Sequence, residues 1–163
     1  MTTMSLLIRP LQIDDAATLS IWLRAQPSAY ARFFRPFGYD EASIAAALAQ
    51  TGQDIYTGLF WDQQLVGFFM LRGWNEGYEV PAFGILIDER YRGYGLEMAA
   101  LDTAKVICRL RNVSRLMIKM NPDNISAKGV ARKTGFVQTG IEEQSGNLIY
   151  HYDIKSRADA SVE

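Results

Sequence analysis

Arg92-Gly93-Tyr94-Gly95 stands between an apolar run that ends at Ile87 and a stretch of helical spacing that begins at Leu96. Glycines in that place let backbone N–H groups come close to a ligand, because no Cβ stands in the way. The first amides of the following helix have no intrahelical acceptor, and the aligned peptide dipoles add positive potential there. Together these features make a site for phosphate groups. An ordinary tight turn uses the same two glycines, so the pair alone does not decide. Two phosphate-binding patterns are excluded. No Gly-Lys-Ser/Thr follows, as a Walker loop requires, and no parallel βαβ repeat surrounds the loop, as a dinucleotide fingerprint requires.

Glu79 opens the run Glu79–Ile87, which is almost wholly apolar after it and reads as a strand buried on both faces. Its parity matches Phe83, Ile85 and Ile87, unless Pro81 or a bulge shifts the phase. A carboxyl half-buried among apolar groups has its pKa raised toward neutrality, which suits a general base. A strand-end glutamate in solvent is the plain alternative, and Glu76 is the nearby substitute. His151 is the only histidine, but it alternates with Tyr150 and Tyr152 in Leu148–Ile154, so a pairing role on a sheet is expected. Cys108, the only cysteine, lies on the apolar face of a helix and reads as core.

These residues need a frame to hold them. Leu6–Arg9 before Pro10 reads as a short strand, and Asp14 or Asp15 can cap a helix with Leu19, Trp22 and Leu23 inside. The aromatic segment Tyr30–Tyr39 and an alanine-rich helix near 41–50 follow. Ile55–Trp61 and Leu65–Arg72 form a hairpin turning at Asp62-Gln63. After the glycine loop, apolar residues at helical spacing mark a helix over 96–112. Leu116–Met120 is a strand, Asn124–Thr134 a helix, and 136–143 with 147–155 a closing pair turning at Ser145-Gly146-Asn147. The expected class is α+β, a single mixed, mostly antiparallel sheet with flanking helices.

At 163 residues the chain suits one domain over 1–155, with a flexible polar tail at 156–163. A formal charge of −1 gives no bulk reason to expect nucleic acid as partner. A lone cysteine makes neither an intrachain disulfide nor a cysteine-based zinc cluster, and no metal site is expected. Met1–Leu6 lacks the pattern of a signal peptide, and no apolar run nears the ~20 residues of a membrane helix. The expectation is a cytoplasmic protein without a membrane partner; a homodimer is left open.

Ile85-Leu-Ile-Asp-Glu-Arg-Tyr-Arg-Gly-Tyr-Gly95 resembles the GNAT acetyltransferase signature, a strand leading into Tyr-Arg-Gly-x-Gly-x-Gly/Ala. Asn124, Ala127 and Gly135-Phe136 resemble the family's Asn-x-x-Ala … Gly-Phe helix, at the proper distance. The resemblance is strongest over 79–136, and the arginine-proline start and Lys133-x-Gly-Phe ending are similar to the ribosomal-protein N-terminal acetyltransferase branch. It implies the GNAT fold with splayed central strands and acetyl-CoA as the donor. The Arg92, Gly93, Tyr94, Gly95 and Leu96 amides would hold the CoA pyrophosphate. Backbone groups of Phe83, Ile85, Leu86 and Ile87 would face pantetheine, whose arm enters the gap between that strand and Leu116–Met120. Asn124 would cap its helix and bond the pantetheine side. Glu79, thirteen residues before Arg92, matches the position of the base in some members. Tyr30, Phe33 and Phe34, with Arg32 and Arg35, fall where the family builds its acceptor site; an aromatic mini-core is the alternative.

The sequence departs from the pattern twice. Glu97 occupies the last small-residue position of the loop, beside two phosphates. Ala131 stands seven residues after Asn124, where many relatives carry a tyrosine acid, and alanine donates no proton. Transfer to an amine needs a base for the nucleophile and a donor for the developing oxyanion, most simply a strand N–H. The resulting expectation is acetyl transfer in a ternary complex to a primary amine, a small metabolite or amino sugar leading the candidates. The rival, resting on Ala131 and Glu97, is a non-catalytic acyl-CoA-binding module.

Overall fold

The computed structural model describes residues 3–50 and 52–155, without the side chain of Tyr30. The expected tail at 156–163 lies outside the described residues. Among the described residues seven strands join in one mixed sheet. The chain is laid out in two compact units. One holds the described residues up to Leu71 together with Gly84–Leu101; the other holds Arg72–Phe83 and the described residues from Asp102 onward.

In the first unit, β1 (Leu6–Pro10) pairs antiparallel with β2 (Ile55–Trp61). β2 in turn pairs antiparallel with β3 (Gln64–Arg72) around a two-residue turn, Trp61 opposite Gln64. Asp62 and Gln63 take φ of 47° and 69°, a left-handed pair whose twist matches that of the flanking strands. Three helices cover this part: α1 (Ala16–Ala25), α2 (Ser28–Ala31) and α3 (Glu41–Ala49). Leu19, Trp22 and Leu23 on α1 are buried as their spacing requires, in one cluster with Ile44, Phe60, Leu65, Phe68 and Leu86. Each such side chain contributes roughly 1.5–3 kcal/mol by leaving water. Asp40 starts α3 by accepting the Ser43 N–H at 2.8 Å.

Helix α4 (Leu96–Leu110) starts in the first unit and runs on into the second, where it buries Ala104 and Cys108. It ends at Asn112, whose φ of 56° is the left-handed cap conformation; the Val113 N–H returns to the Cys108 carbonyl at 2.8 Å. α5 (Ile125–Lys133) ends the same way at Gly135, φ 87°, with the Phe136 N–H donating to the Ala131 carbonyl at 2.9 Å. β5 (Arg115–Met120) and β6 (Val137–Ile141) both pair antiparallel with β7 (Leu148–Asp153). β4 (Ala82–Ile87) runs parallel to β5, with Ala82 opposite Met117. The mixed, mostly antiparallel sheet expected from the sequence is what forms. Among the described residues no helix is long and apolar enough to cross a membrane.

One boundary moves, and it matters for the chemistry. The strand expected from Glu79 starts at Ala82, and Glu79 lies in an exposed bend. Proline has no N–H for a ladder bond. The Pro81 ring is instead fully buried, and its carbonyl accepts the Met117 N–H at 3.0 Å. Upstream, Gly73 (φ 116°) and Gly77 (φ 90°) bracket a tight 3-10 turn over Trp74–Glu76. The half-burial expected for Glu79 is therefore corrected: its parity with Phe83 has no meaning outside the strand.

The hairpin gives a first test. Asp62→Asn combined with Gln63→Gly puts at these two left-handed positions the Asn-Gly pair that such a turn favours and should stabilise the fold by about 0.5–1 kcal/mol. Thermal unfolding should read this as a Tm rise of about 2–4 °C; an unchanged or lower Tm rejects the reading of the turn.

Candidate functional site

The glycine loop is held from below by a buried carboxylate. Asp88 follows β4 directly and is only 3% exposed. Its N–H donates to the Val66 carbonyl at 2.8 Å, which fixes the end of the strand. Its Oδ1 accepts the Arg90 N–H at 2.9 Å, starting a 3-10 turn over Glu89–Tyr91, and accepts the Arg90 Nε at 3.1 Å. Oδ2 accepts the Arg90 guanidinium at 3.0 Å, the Trp22 indole N–H at 3.2 Å and the Gln26 amide at 3.3 Å. A charge placed there without partners would be prohibitive. Burial pushes the Asp88 carboxyl up, but the bonds from the Arg90 side chain, the Arg90 N–H and Gln26 outweigh it and leave the group below the usual carboxylate range.

From that anchored turn the chain runs into the loop. Arg92 is extended, Gly93 has φ 83° and Gly95 has φ 87°, both in the left-handed region that disfavours side chains. A Cβ at either glycine would meet nothing within 4 Å, so conformation and not crowding demands glycine here. Tyr94 between them is 78% exposed. The N–H groups of Gly93, Tyr94, Gly95 and Leu96 donate to no protein acceptor among the described residues. They lead directly into the N-terminus of the fifteen-residue α4, which begins at Leu96. Such a cradle suits an anion with several oxygens, a phosphate or pyrophosphate. Glu97 sits in the first turn of α4 and is half-buried, favourable to the helix dipole but opposed to an anion.

Of the strand residues expected to face pantetheine, Phe83, Leu86 and Ile87 bury their side chains and Ile85 is half-buried. Any ligand contact from them is thus a matter of backbone groups. The aromatic segment is divided. Phe34 packs edge-on against Phe68 at 5.9 Å and, with Phe37 and Tyr39, lines the hydrophobic cluster. Phe33 is half-buried under the Arg32 guanidinium at 4.4 Å, while the Tyr30 side chain lies outside the described residues. The aromatic mini-core therefore accounts for Phe34.

In the second unit, Asn124 caps α5: its Oδ1 accepts the Ala127 N–H at 3.2 Å. Its Nδ2 has no acceptor among the described residues, so the cap leaves two donors available. Ala131 is fully buried. His151 pairs across the sheet with Met117 and Val137, and its Nδ1 lies 2.5 Å from the Thr139 hydroxyl. Burial and the nearby Arg115 charge lower its pKa, in keeping with a sheet-pairing role. Burial pushes the Cys108 thiol up to about 11, which makes it core and not a nucleophile.

The Asp88 network is what sequence reasoning passed over. A signal was present, an aspartate directly after an apolar strand and two residues before an arginine, but Trp22 and Gln26 lie more than 60 positions away. A carboxyl held below its unfolded value contributes stability that is complete above about pH 4 and is lost as pH falls through the folded value. Asp88→Asn sets an amide against the Trp22 and Gln26 donors and should cost about 2 kcal/mol at neutral pH. It should also flatten the acid limb of a stability-versus-pH curve measured by urea unfolding. Equal acid limbs in the two proteins would contradict the assignment.

The sequence matches the family described as acetyltransferase (GNAT) domain over residues 5–137. In fold the chain is similar to the PaiA N-acetyltransferase of Thermoplasma acidophilum, solved in complex with coenzyme A. The two are 16% identical with a TM-score of 0.77, over 92% of this chain and 99% of that one. It is also similar to a Salmonella typhimurium acetyl transferase that modifies the N-terminal serine of ribosomal protein L7/L12. Here the identity is 17% and the TM-score 0.76, over 94% and 97% of the chains. A third likeness is to the ribosomal-protein-S5-alanine acetyltransferase of Vibrio fischeri, at 15% identity and TM-score 0.70, over 95% and 96%. No curated protein sequence matches. At these identities the solved structures speak for the fold, and the family match carries the rest: the protein belongs to the GNAT acetyltransferases, enzymes that take the acetyl group from acetyl-CoA.

Proposed function

We propose that the Gly93–Leu96 amides hold the pyrophosphate of acetyl-CoA and that the acetyl group passes directly to a primary amine in a ternary complex. The observation that carries this reading is the row of unpartnered N–H groups, set by two left-handed glycines, at the start of α4. Arg92 adds positive charge at the same place, and the free Nδ2 of Asn124 is the donor offered to the pantetheine side. Backbone groups of β4 from Phe83 to Ile87 complete the cofactor contacts, one of their N–H groups serving the oxyanion.

The reaction balances as follows. The amine nitrogen attacks the thioester carbonyl carbon, a C–N bond forms, and the C–S bond breaks with its electron pair on sulfur. The proton lost by the amine goes to Glu79, through a water that it orients. Its part is to align that water and pass the proton on to solvent. Two residues downstream, Pro81 is buried and its carbonyl accepts the Met117 N–H. No side chain is assigned to protonate the sulfur. A thiol titrates at about 8.5, so the thiolate can leave as the anion and be protonated by water. The buried Ala131 is consistent with that arrangement.

For the acceptor we favour a small amine or amino sugar, since the near-neutral net charge offers no broad field for a charged macromolecule. Phe33 under Arg32 is the part of the aromatic segment left to touch it. Action in the cytoplasm, where thiols stay reduced, accords with a single free cysteine.

Gly93→Val forces a β-branched residue into a left-handed position and should weaken acetyl-CoA binding at least about tenfold by calorimetry. Unchanged affinity would reject the loop as the pyrophosphate site. Glu97→Gln removes a carboxylate from beside the phosphates and should tighten binding about two- to fivefold, more at low salt. Glu79→Gln should keep acetyl-CoA affinity and lose most turnover, followed as acetylated product by mass spectrometry. A panel of amino sugars, polyamines and peptides with N-terminal serine or alanine separates the acceptor classes; turnover of the peptides alone would overturn the small-amine reading.

A further inference from the structure

Gln26 joins two parts of the first unit that the reaction uses separately. It closes α1, its N–H returning to the Leu23 carbonyl at 3.3 Å, and Pro27 directly after it starts α2 and the aromatic segment. Its side chain faces the other way. Nε2 donates to the Trp22 carbonyl and to Asp88 Oδ2, both at 3.3 Å, and Oε1 accepts the Glu89 N–H at 3.3 Å. One amide thus grips both the buried carboxylate and the backbone of the turn that feeds the glycine loop. A few residues on, the Phe34 ring would stand 3.6 Å from a Cβ at Gly84, at the other end of the same stretch of β4. The polar contacts of Gln26 thus tie this segment to the end of β4, and the Phe34 ring lies on the side of Gly84 that carries no Cβ.

We propose that Gln26 is a positioning residue for acetyl-CoA, holding the Asp88–Tyr91 turn so that the loop amides face the pyrophosphate, and that through Pro27 it couples this loop to the acceptor segment. This rests on the reading of Gly93–Leu96 as the pyrophosphate site. The amide is the required chemistry. A carboxylate at 26 would keep the acceptor for the Glu89 N–H but would set a second negative charge against Asp88, and an alanine would release both contacts. Acceptor binding that shifts the 27–34 segment moves the anchor of the turn, so cofactor and acceptor affinities depend on each other.

The test compares Gln26→Ala, Gln26→Glu and Gln26→Glu combined with Asp88→Asn, alongside Gly93→Val. Gln26→Ala should raise the acetyl-CoA dissociation constant about tenfold, with kcat at saturation within about twofold, and should also lower Tm because the buried Asp88 loses a donor. Gln26→Glu should be worse, and adding Asp88→Asn should recover part of the affinity by restoring opposite polarity across the contact. In the wild type, saturating acceptor should alter acetyl-CoA affinity, and in Gln26→Ala this dependence should vanish. Unchanged acetyl-CoA affinity in Gln26→Ala and Gln26→Glu overturns the proposal, as does an affinity loss that only follows Tm without recovery in the double variant. If Gly93→Val binds acetyl-CoA as the wild type does, the pyrophosphate reading itself fails; if it loses binding while the Gln26 variants do not, only the positioning role fails.

Discussion

A carboxylate taken out of water must be surrounded by donors, and Asp88 sets the terms for much of the first unit. Its oxygens draw in an indole from the middle of α1, an amide from the end of α1, and both the backbone and side chain of Arg90. Meeting these demands brings α1 down onto the end of β4 and bends the chain after β4 into a tight turn. The glycine loop starts from that turn. The arrangement has a logic of sign: negative charge is spent below the loop on fully bonded partners, while the amides above it remain available to an anion. Arg90 is engaged by Asp88 through its backbone and its side chain.

The residues proposed for the chemistry are sparser in contacts. Ala131 fills its place by packing, and Asn124 divides its side chain between capping a helix and presenting two donors. Glu79 is exposed, two residues before the buried Pro81. An enzyme of this kind gains most of its rate by bringing the amine and the thioester together in the right orientation, with acid–base help of modest size. A good leaving group makes that sufficient: a thiolate departs far more readily than an alkoxide.

Much of the fold could be read from local chemistry. The Asp62-Gln63 turn, the Asn124 cap and the apolar face of α1 each announce themselves within a few residues. The helix expected over 96–112 runs over Leu96–Leu110, and Asn112 takes the left-handed conformation just after it. Glu79 was misplaced because alternation was carried through Pro81, a residue that cannot join the ladder on its N–H side. Phe34 shows a different gap: an aromatic cluster is equally legible as a binding surface and as a core, and only its packing on Phe68 decides. The Asp88 contacts were beyond local reading, since a carboxylate's partners more than 60 positions away leave no mark in the residues beside it.

The thiol of Cys108 has a practical consequence. It is fully enclosed in α4, and its ionisation is pushed to about 11. Since the anion is the reactive form of a thiol, almost none is present near neutrality. The native protein therefore offers no competing sulfur to a chromogenic disulfide reagent. Every turnover liberates one coenzyme thiol into a silent background, so the enzyme's own progress can be followed continuously by colour, without a label on either substrate.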